Sequence, residues 1–377
     1  MLDVLIAGGG PAGAIAATVL ARAGARVLVL DRARFPRAKL CGDTLNPGAL
    51  AVLERLGLGC ALGPSIPVAG MIVTGEDGIR IEGRYEGVSG RAIARRDLDW
   101  ALLMAAAGAG ARIEQDVLVQ APLVDASGHD VTIGGLLIKG TTDRKPLRIP
   151  ARVVIAADGR YSRVARALGL SRSASYPRRW AIGGYFENVE RMTAFGEMHV
   201  RTAHYVGVAP LPNGATNACV VTPNPPGRST ADFLTSTLRS DPQLGQRFAD
   251  ARMISEPICL GPLAVDAVSA GAPGLLLAGD AAGFVDPMTG DGLRFALRGA
   301  ELAAREALHA LEHGFGSAHV RLLTARRCEF AAKWRFNRTV RWLVAHPGGV
   351  RAAGHAASVL PRLLRHAIRY AGDVNAA

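Results

Sequence analysis

The sequence predicts an α/β protein with three parts: a parallel-sheet domain assembled from separated stretches, an inserted antiparallel sheet, and C-terminal helices. Three observations lead to this prediction. A strand, a glycine turn, a helix and a second strand follow one another over residues 4–31. Residues 180–263 are strand-rich and contain Pro–Gly turns. Residues 274–312 read as a short buried strand that opens into a long helix.

The N-terminal stretch carries a nucleotide-binding signature. An apolar run over 4–7 leads into Gly8-x-Gly10-x-x-Gly13, and a second apolar run ends on Asp31. Glycines at these positions let backbone N–H groups approach a pyrophosphate at the helix N-terminus, and the acid can accept a hydrogen bond from a ribose hydroxyl. The opening therefore predicts a dinucleotide-binding unit, but taken alone it does not separate FAD from NAD.

The next elements alternate between this domain and the insertion. Residues 35–49 (FPRAKLCGDTLNPGA) predict a loop, because they are dense in proline, glycine and polar side chains. Residues 66–94 alternate apolar and polar side chains with glycine breaks, which indicates strands outside the nucleotide fold. We expect Asp97 to cap the helix that follows it. The other elements predicted in this half are helices over about 49–58 and 98–110, and strands near 115–120, 129–140 and 147–159.

The second half is strand-rich and then helical. A helix is predicted over 230–240 within the strand-rich stretch, and a long helix over about 291–312 follows the buried strand. The remainder is helical, interrupted by HPGG at 346–349, and ends in an amphipathic stretch over 361–371. The predicted boundaries assign residues 1–65, 91–175 and 266–312 to the dinucleotide domain, 66–90 and 176–265 to the inserted substrate-binding sheet, and 313–377 to the C-terminal helical region.

Composition is that of an ordinary globular protein, with 49% hydrophobic and 20% charged residues among 377. The sequence predicts no transmembrane helix, because apolar stretches of about 20 residues are all interrupted by polar ones. The N-terminus has no basic region before its apolar run, so we expect it to be retained. Five scattered cysteines predict reduced thiols in a cytoplasm and no metal site.

The formal charge of +12 comes almost wholly from arginine. Aromatic residues make up only 5%, which disfavours a nucleic-acid partner. The basic excess is concentrated after residue 320, and two interpretations stay open. The first is a solvated basic helical face. The second is an anionic partner: a diphosphate, an acidic carrier protein, or the inner face of a membrane, touched peripherally.

Four ordered motifs carry a family resemblance. They are GGGPAG (8–13) with Asp31; Arg95-x-x-Leu98-Asp99; Ala157-Asp158-Gly159 followed by Ser162 and Arg166; and the run from Gly279 to Gly292. In this order they resemble the FAD-binding family of para-hydroxybenzoate hydroxylase and its relatives, over residues 1–312. The resemblance implies a GR2-type Rossmann-like FAD-binding domain with non-covalent FAD. It also implies transient visits by NADPH or NADH, because no second dinucleotide motif is present.

The resemblance also implies roles for individual residues. Arg95 would contact the pyrophosphate, Val119 would lie against adenine, and Asp280 would accept hydrogen bonds from ribityl or ribose hydroxyls. The helix opening near Gly290 would point its free N–H groups at the flavin ring and stabilise the reduced form. The full set of implied cofactor-binding residues is Gly8, Gly10, Pro11, Ala12, Gly13, Asp31, Arg32, Lys39, Cys41, Gly42, Arg95, Val119, Asp158, Gly279, Asp280, Gly290, Gly292 and Leu293.

Within the family, the loop Phe35-Pro36-Arg37-x-Lys39-x-Cys41-Gly42-Asp43 resembles that of the geranylgeranyl reductase branch. The turn over 287–293 is similar to that branch as well. Aromatic hydroxylases usually carry a His where Gly283 stands here. Flavin halogenases usually show a W-x-W-x-I-P segment, which this sequence lacks.

One departure concerns the substrate. Geranylgeranyl reductases carry a Y-x-W-x-F-P strand along the isoprenoid tunnel, and here Gly207 and Ala209 replace the two large rings. Such a loss of volume would widen or reshape the pocket. The reaction class can therefore carry over while the substrate differs. The implied substrate residues are Tyr205, Gly207, Ala209 and Pro287.

Three functions follow as hypotheses. The favoured one is an FAD-dependent reductase that passes hydride to an unsaturated apolar substrate of the isoprenoid, polyene or polyketide kind. The second is a monooxygenase of secondary metabolism using NAD(P)H and O₂, and the third a non-catalytic flavin-binding subunit. Cys41 is the candidate catalytic residue: it either packs against the flavin or donates a proton.

Overall fold

The computed structural model describes residues 1–374 apart from positions 77, 126–131, 141–144, 175–176, 228, 347, 350–351, 353–354 and 357–358. The first residues of the strand predicted over 129–140 and part of the break predicted at 346–349 lie outside the described residues.

The helices and strands follow the predicted alternation. The α-helices of the described residues include α1 (Pro11–Arg22), α2 (Pro47–Arg55), α3 (Arg95–Gly108), α4 (Arg163–Ala167), α5 (Thr230–Ser240), α6 (Gly292–His313), α7 (Ala318–Ala345) and α8 (Pro361–Ala371). The strands are β1 (Leu2–Ala7), β2 (Val27–Leu30), β3 (Thr44–Leu45), β4 (Ile66–Val68), β5 (Gly70–Thr74), β6 (Arg80–Arg84), β7 (Gly90–Ala92), β8 (Arg112–Glu114), β9 (Val117–Asp125), β10 (Thr132–Gly140), β11 (Leu147–Ala156), β12 (Ser171–Ser173), β13 (Trp180–Glu187), β14 (Phe195–Val200), β15 (Tyr205–Pro210), β16 (Thr216–Thr222), β17 (Arg252–Met253), β18 (Ile258–Leu260), β19 (Val265–Ala267), β20 (Gly271–Ala272) and β21 (Leu275–Leu277).

The first eight-stranded sheet has a parallel core in the order β21–β11–β1–β2–β8. Val4 and Ile6 of β1 pack toward α1, α3 and α6, whereas Leu5 and Ala7 pack toward β9, β10 and α4. Because both faces are covered, the central strands are continuous apolar runs. The carboxyl ends of β1, β11 and β21 therefore meet at one edge of this sheet.

The second eight-stranded sheet runs β17–β13–β16–β15–β14–β5–β6, with β18 also on β13. It is antiparallel apart from β14 and β5, which run parallel. Helix α5 covers one face, where Leu234 packs with Phe186. The opposite face, which includes Tyr205, packs against Leu40 and Phe284 of the first domain. This arrangement confirms the predicted α/β class with an inserted sheet; the predicted domain boundaries stay a prediction.

The predicted cap of α3 is wrong. The helix begins at Arg95, two residues before Asp97, which lies exposed in the first turn. The backbone N–H of Arg95 donates instead to the carboxylate of Asp43, 3.0 Å away. A residue 52 positions earlier thus satisfies the free amide that a local cap normally serves. The helices predicted over 230–240 and 361–371 are confirmed at both ends.

The C-terminal helices join both sheets. Helix α7 packs along α6, and α8 packs on β6. Ile368 fits against Gly83 there because glycine has no side chain. The backbone N–H of Gly48 donates to the carbonyl of Gly372. Three basic side chains of α7 are buried rather than solvated, namely Arg326, Lys333 and Arg341. The solvated-face interpretation therefore does not hold for these three.

Candidate functional site

The glycine turn after β1 is the meeting point of three motifs. A Cβ on Gly8 would lie 2.4 Å from the carbonyl oxygen of Ala157, so the residues after β11 pack directly on this turn. A Cβ on Gly13 would lie 1.8 Å from the Gly8 carbonyl oxygen. A Cβ on Gly279 would lie 2.8 Å from that of Ala12. Only residues without a side chain allow these approaches.

Asp31 is fixed at the end of β2. Its buried carboxylate accepts hydrogen bonds from the N–H groups of Gly9 (2.7 Å) and Ala33 (2.8 Å). Its backbone carbonyl accepts from the N–H of Val117, the first residue of β9. Buried Val119 therefore lies on the strand next to this acid, whereas Arg32 is exposed.

A cluster of cations lies beside the turn. The Arg95 guanidinium makes two hydrogen bonds to Asp99, at 2.7 and 2.9 Å, and Arg37 approaches the same carboxylate at 3.2 Å. Lys39 and Arg160 complete the cluster, which carries four cations. Asp99, Asp280 and Asp43 are carboxylates among its neighbours. The four cations therefore outnumber these carboxylates.

The electrostatics of Lys39 reflect this imbalance. Burial, together with Arg95, Arg160 and Arg37, lowers the pKa of its ammonium to about 8, while Asp280 acts in the opposite direction. A cation held among cations favours losing its proton. A bound anion would reverse that preference.

Asp158 is the second residue after β11, and its carboxylate contacts the start of the short helix α4. One carboxylate oxygen accepts from the N–H of Arg163 at 2.9 Å, and the other is buried without a partner among the described residues. Burial raises the pKa of this carboxyl. Its position beside Gly8 places it at the edge of the turn.

The loop at Cys41 and Gly42 is tied to the second sheet. The amide of Asn217 on β16 donates to the carbonyl of Cys41 at 3.0 Å and to the carboxylate of Asp43 at 2.7 Å. Asp43 is fully buried in a left-handed conformation with φ of 53°. Burial raises the pKa of its carboxyl to about 7, opposed by hydrogen bonds from the Tyr185 hydroxyl and the Arg95 amide.

The turn before α6 is fixed by the buried side chain of Asp286. Asp286 accepts hydrogen bonds from the Tyr205 hydroxyl (2.6 Å) and the N–H of Met288 (3.1 Å), and it pairs with Arg179. Pro287 opens a single 3₁₀ turn that ends at Gly290, whose φ is 70°. Gly292 and Leu293 then begin α6, and the side chain of Leu293 is buried in the core.

Residues 1–333 match the model of the FAD binding domain family. The chain belongs to this family. It is 34% identical over 337 residues to the menaquinone reductase of Mycobacterium tuberculosis (strain ATCC 25618 / H37Rv), covering 80% of this chain and 75% of that protein. It is 29% identical over 335 residues to digeranylgeranylglycerophospholipid reductase 1 of Methanothermobacter thermautotrophicus, covering 83% of this chain and 78% of that protein.

Solved structures extend the likeness to the whole fold. A geranylgeranyl bacteriochlorophyll reductase-like protein of Thermoplasma acidophilum superposes with a TM-score of 0.78 at 22% identity, covering 93% of this chain and 89% of that one. A flavin-dependent brominase superposes with a TM-score of 0.84 at 19% identity, covering 98% and 93%. At these identities the likeness shows the fold alone. The family and the reductase relatives make this protein an FAD-dependent oxidoreductase.

The residues at the turn fit the diphosphate of FAD. Gly10 leaves the first amides of α1 without a side-chain cap, and a Cβ there would lie 3.5 Å from Arg37 Nη2, within the space between turn and guanidinium. Arg37 Nη1 is buried with no partner among the described residues. Thr289 Oγ1 also lacks a partner among the described residues, but it lies in the separate turn before α6. Free amides, an unsatisfied guanidinium and unbalanced positive charge match a dianionic ligand.

The predicted substrate residues share one sheet face. Tyr205, Gly207 and Ala209 alternate along β15, so their side chains point away from the α5 face. Gly207 is paired with Cys219 and Ala209 with Asn217, the residue that holds the Cys41 loop. Pro287 is in the adjacent turn. The structure thus brings these four residues to the side of the Cys41 loop; their contact with a substrate stays a prediction.

Four residues of this region were not predicted as binding residues: Asp99, Arg37, Arg160 and Asn217. Asp99 was readable as the partner of Arg95, because side chains four apart on a helix are neighbours. Arg37 was visible as a basic residue in the loop. Arg160 and Asn217 gave no signal, since only the folded chain brings Arg160 to Lys39 and Asn217 to Asp43.

Three further observations concern the site and its surroundings. Within the described part of the chain, no helix is both long enough and apolar enough to cross a membrane. Over the same residues, no group of three His, Cys, Asp or Glu side chains is arranged to hold a metal ion. The five cysteines are unpaired thiols, and Cys41 is half-buried.

Proposed function

We propose that this oxidoreductase saturates a carbon–carbon double bond in a polyprenyl chain. The two reductase relatives are named for menaquinone and for a digeranylgeranyl lipid. An isoprenoid chain with reducible double bonds is the chemistry that these two substrates share. The observation that carries the proposal is the sheet face of Tyr205, Gly207 and Ala209 beside the Cys41 loop, because an apolar chain needs an apolar surface at the cofactor.

Different residues would bind the cofactor, fix the turn before α6 and contact the substrate. The glycine turn and the cations around Lys39 hold the diphosphate of FAD, which supplies a two-electron reductant when bound. Asp286, held by Tyr205 and Arg179, fixes the turn that leads into α6. The sheet face excludes water from the double bond. Saturation also needs a proton, and the Cys41 thiol is the predicted donor; NADPH or NADH is the predicted source of electrons.

Anaerobic reoxidation tests this function. The FAD-loaded protein is photoreduced and mixed with a menaquinol, a digeranylgeranyl lipid and their fully saturated analogues; the quinol is used because an oxidised quinone ring would itself accept the flavin electrons. We expect reoxidation with the unsaturated compounds and none with the saturated ones, together with loss of a double bond by mass spectrometry. An oxygen atom from O₂ in the product, seen only in air, would instead support the monooxygenase hypothesis and contradict the proposal.

We further propose that the protein contacts the inner face of a membrane, where polyprenyl substrates reside. A surface groove of about 710 Å³ at the end of α7 is lined by Arg172, Arg338 and Trp342. The Trp342 side chain is 58% exposed, and nearby Val268 is 57% exposed. Arg172, Arg338 and Arg341 outnumber Asp266, the one acid among the described residues of the lining, so an exposed indole and valine among these arginines suit an anionic bilayer surface. Arg341 also lines the groove, and its carbonyl accepts from Arg179, the partner of Asp286, so the groove borders the substrate side.

Vesicle co-sedimentation tests the membrane contact. Wild-type protein should sediment with vesicles containing anionic lipid, less at high salt, and the Trp342→Glu variant should remain in the supernatant. Arg252→Glu, an exposed residue on the far edge strand β17, is the matched control and should bind as wild type. Equal sedimentation of wild type and Trp342→Glu would contradict the proposal. Binding to an acidic carrier protein but not to vesicles would contradict it as well.

A further inference from the structure

The carboxylate of Asp291 is at the start of α6 but does not cap it. Asp291 is 1% exposed and immediately precedes Gly292, the first residue of the helix. An aspartate at this position ordinarily accepts a hydrogen bond from an amide of the first turn. Here the side chain makes no such bond. The first amides of α6 are therefore left without a side-chain partner.

Three polar groups hold this carboxylate on the side away from the first turn. Lys333 Nζ and Asn46 Nδ2 approach one oxygen at 3.2 and 3.3 Å, and Asn337 Nδ2 donates to the other at 3.1 Å. Lys333 is itself buried and pairs with Asp373 at 3.1 Å. Burial raises the pKa of the Asp291 carboxyl, and Lys333 acts in the opposite direction.

The same lysine binds the end of the chain. Its ammonium donates to the backbone carbonyls of Tyr370 and Ala371, at the last turn of α8. Asn46 also donates to the Ala371 carbonyl at 3.3 Å. The position of the Asp291 carboxylate thus depends on α7 and on residues at the end of α8. Both are distant in sequence from the turn.

We propose that Lys333 and Asn337 are positioning residues that keep the Asp291 carboxylate off the first turn of α6, so that its amides remain free for the flavin. This inference rests on the proposed FAD-dependent function and on the predicted orientation of that turn toward the ring. Free amides at a helix N-terminus stabilise negative charge nearby. A carboxylate that capped them would remove the donors and add a negative charge at the same place.

The consequence is a shift in the flavin midpoint potential. Reduction adds negative charge to the ring, so a released Asp291 carboxylate disfavours the reduced form. We expect Lys333→Met to weaken binding of the reduced form relative to the oxidised form at least tenfold, which corresponds to a midpoint potential lower by about 30 mV for a two-electron couple. Spectroelectrochemical titration of the FAD-loaded full-length variants measures this shift.

Two further variants separate positioning from a structural role. In Lys333→Met with Asp291→Ala no side chain remains that could cap the helix or add a negative charge, so the potential should return to the wild-type value or above. Arg327→Met, which removes an exposed charge from the same helix, should leave the potential unchanged. If Lys333→Met fails to fold, Asn337→Leu removes one holder without altering charge and should lower the potential in the same direction.

The outcomes are distinct. An unchanged potential in Lys333→Met and Asn337→Leu would overturn the inference, as would a double variant that stays as low as the single one. Failure of the wild-type protein to reduce any polyprenyl substrate, with these shifts intact, would overturn the proposed function alone.

Discussion

Lys39 shows how a single residue reports on the bound cofactor. Its ammonium is half-buried among three guanidiniums, and burial lowers its pKa to about 8. A dianionic diphosphate placed there would stabilise the charged form. Binding of FAD and protonation of Lys39 are therefore coupled, and each favours the other.

FAD affinity should consequently depend on pH through this residue. The Kd for FAD should rise as pH increases above about 8, by up to about tenfold per pH unit, because the free protein loses the proton that the complex retains. Lys39→Met should bind more weakly below pH 8 and lose this dependence. Quenching of flavin fluorescence across the pH range measures both.

Lys145→Met is the control for this titration. Lys145 is exposed and remote in sequence from the turn, so its variant should keep the wild-type pH profile. A Lys39→Met profile parallel to that of the wild type would show that another group titrates.

Substitutions of another single residue, Gly207, test the predicted substrate face. A Cβ on Gly207 would lie 4.0 Å from the nearest atoms, the Cys219 carbonyl oxygen and Met198 Cε. Gly207→Ala should therefore be tolerated, with kcat/KM for a polyprenyl substrate near the wild-type value. Gly207→Glu should place a charge on this apolar face and lower kcat/KM for a polyprenyl substrate by at least about tenfold while FAD binding persists. Steady-state kinetics with flavin content measured in parallel tests this; equal loss in both variants would contradict it.

At the scale of elements, α3 connects the Cys41 loop to the residues beside the glycine turn after β1. Its first amide is capped by Asp43, and its Arg95 and Asp99 form a buried pair that also reaches Arg37. The motif around Arg95 was readable from the sequence, and so was the helix. The cap was not, because the donor and acceptor are separated by 52 residues and meet only after the strands between them fold.

Removing the charge of Asp99 should therefore destabilise the fold. Asp99→Asn leaves the buried Arg95 guanidinium without its counterion, and we expect a loss of about 3 kcal/mol in the free energy of unfolding. Asp97→Asn, on the exposed side of the same turn, should lose less than about 1 kcal/mol. Urea unfolding followed by tryptophan fluorescence measures both. Equal losses would restore Asp97 as the cap and contradict the assignment.

The order of strands and helices in the first domain could be predicted because local signals determine it. Glycine spacing marks the turn after β1, and continuous apolar runs mark the central strands. The parallel pairing of β14 with β5 had no such signal, since it joins residues more than 120 positions apart. The same limit applies to Asn217, whose role depends on the register of β16 beside the Cys41 loop.

At the scale of the whole molecule, the C-terminal helices belong to the site. Arg326 of α7 donates to the Ala282 carbonyl in the turn after β21, and Lys333 reaches Asp291. The arginine-rich composition of this region suggested a solvated surface or an anionic partner. Composition could not show which basic residues turn inward, because that depends on the faces that α6 and α8 present.

Docking of α8 should contribute to global stability. Ile368 is 7% exposed and packs with Ile81 on β6. Ile368→Ala should lower the free energy of unfolding by about 2–4 kcal/mol in a single cooperative transition. Arg362→Ala, exposed on the same helix, should change it by less than about 0.5 kcal/mol. A separate early transition for α8, with the main one unchanged, would mean that the helix does not stabilise the rest.

The product formed from a polyprenyl quinol is the most direct test of the central claim. The FAD-loaded protein is photoreduced anaerobically in D₂O and given a menaquinol, whose reduced ring cannot take the two flavin electrons, for one turnover; the product is reoxidised in air before mass spectrometry. We predict one double bond fewer in the side chain, with two deuterium atoms in its place. A side chain recovered unlabelled and fully unsaturated from protein whose FAD is demonstrably reduced would contradict the assignment of this site to isoprenoid saturation.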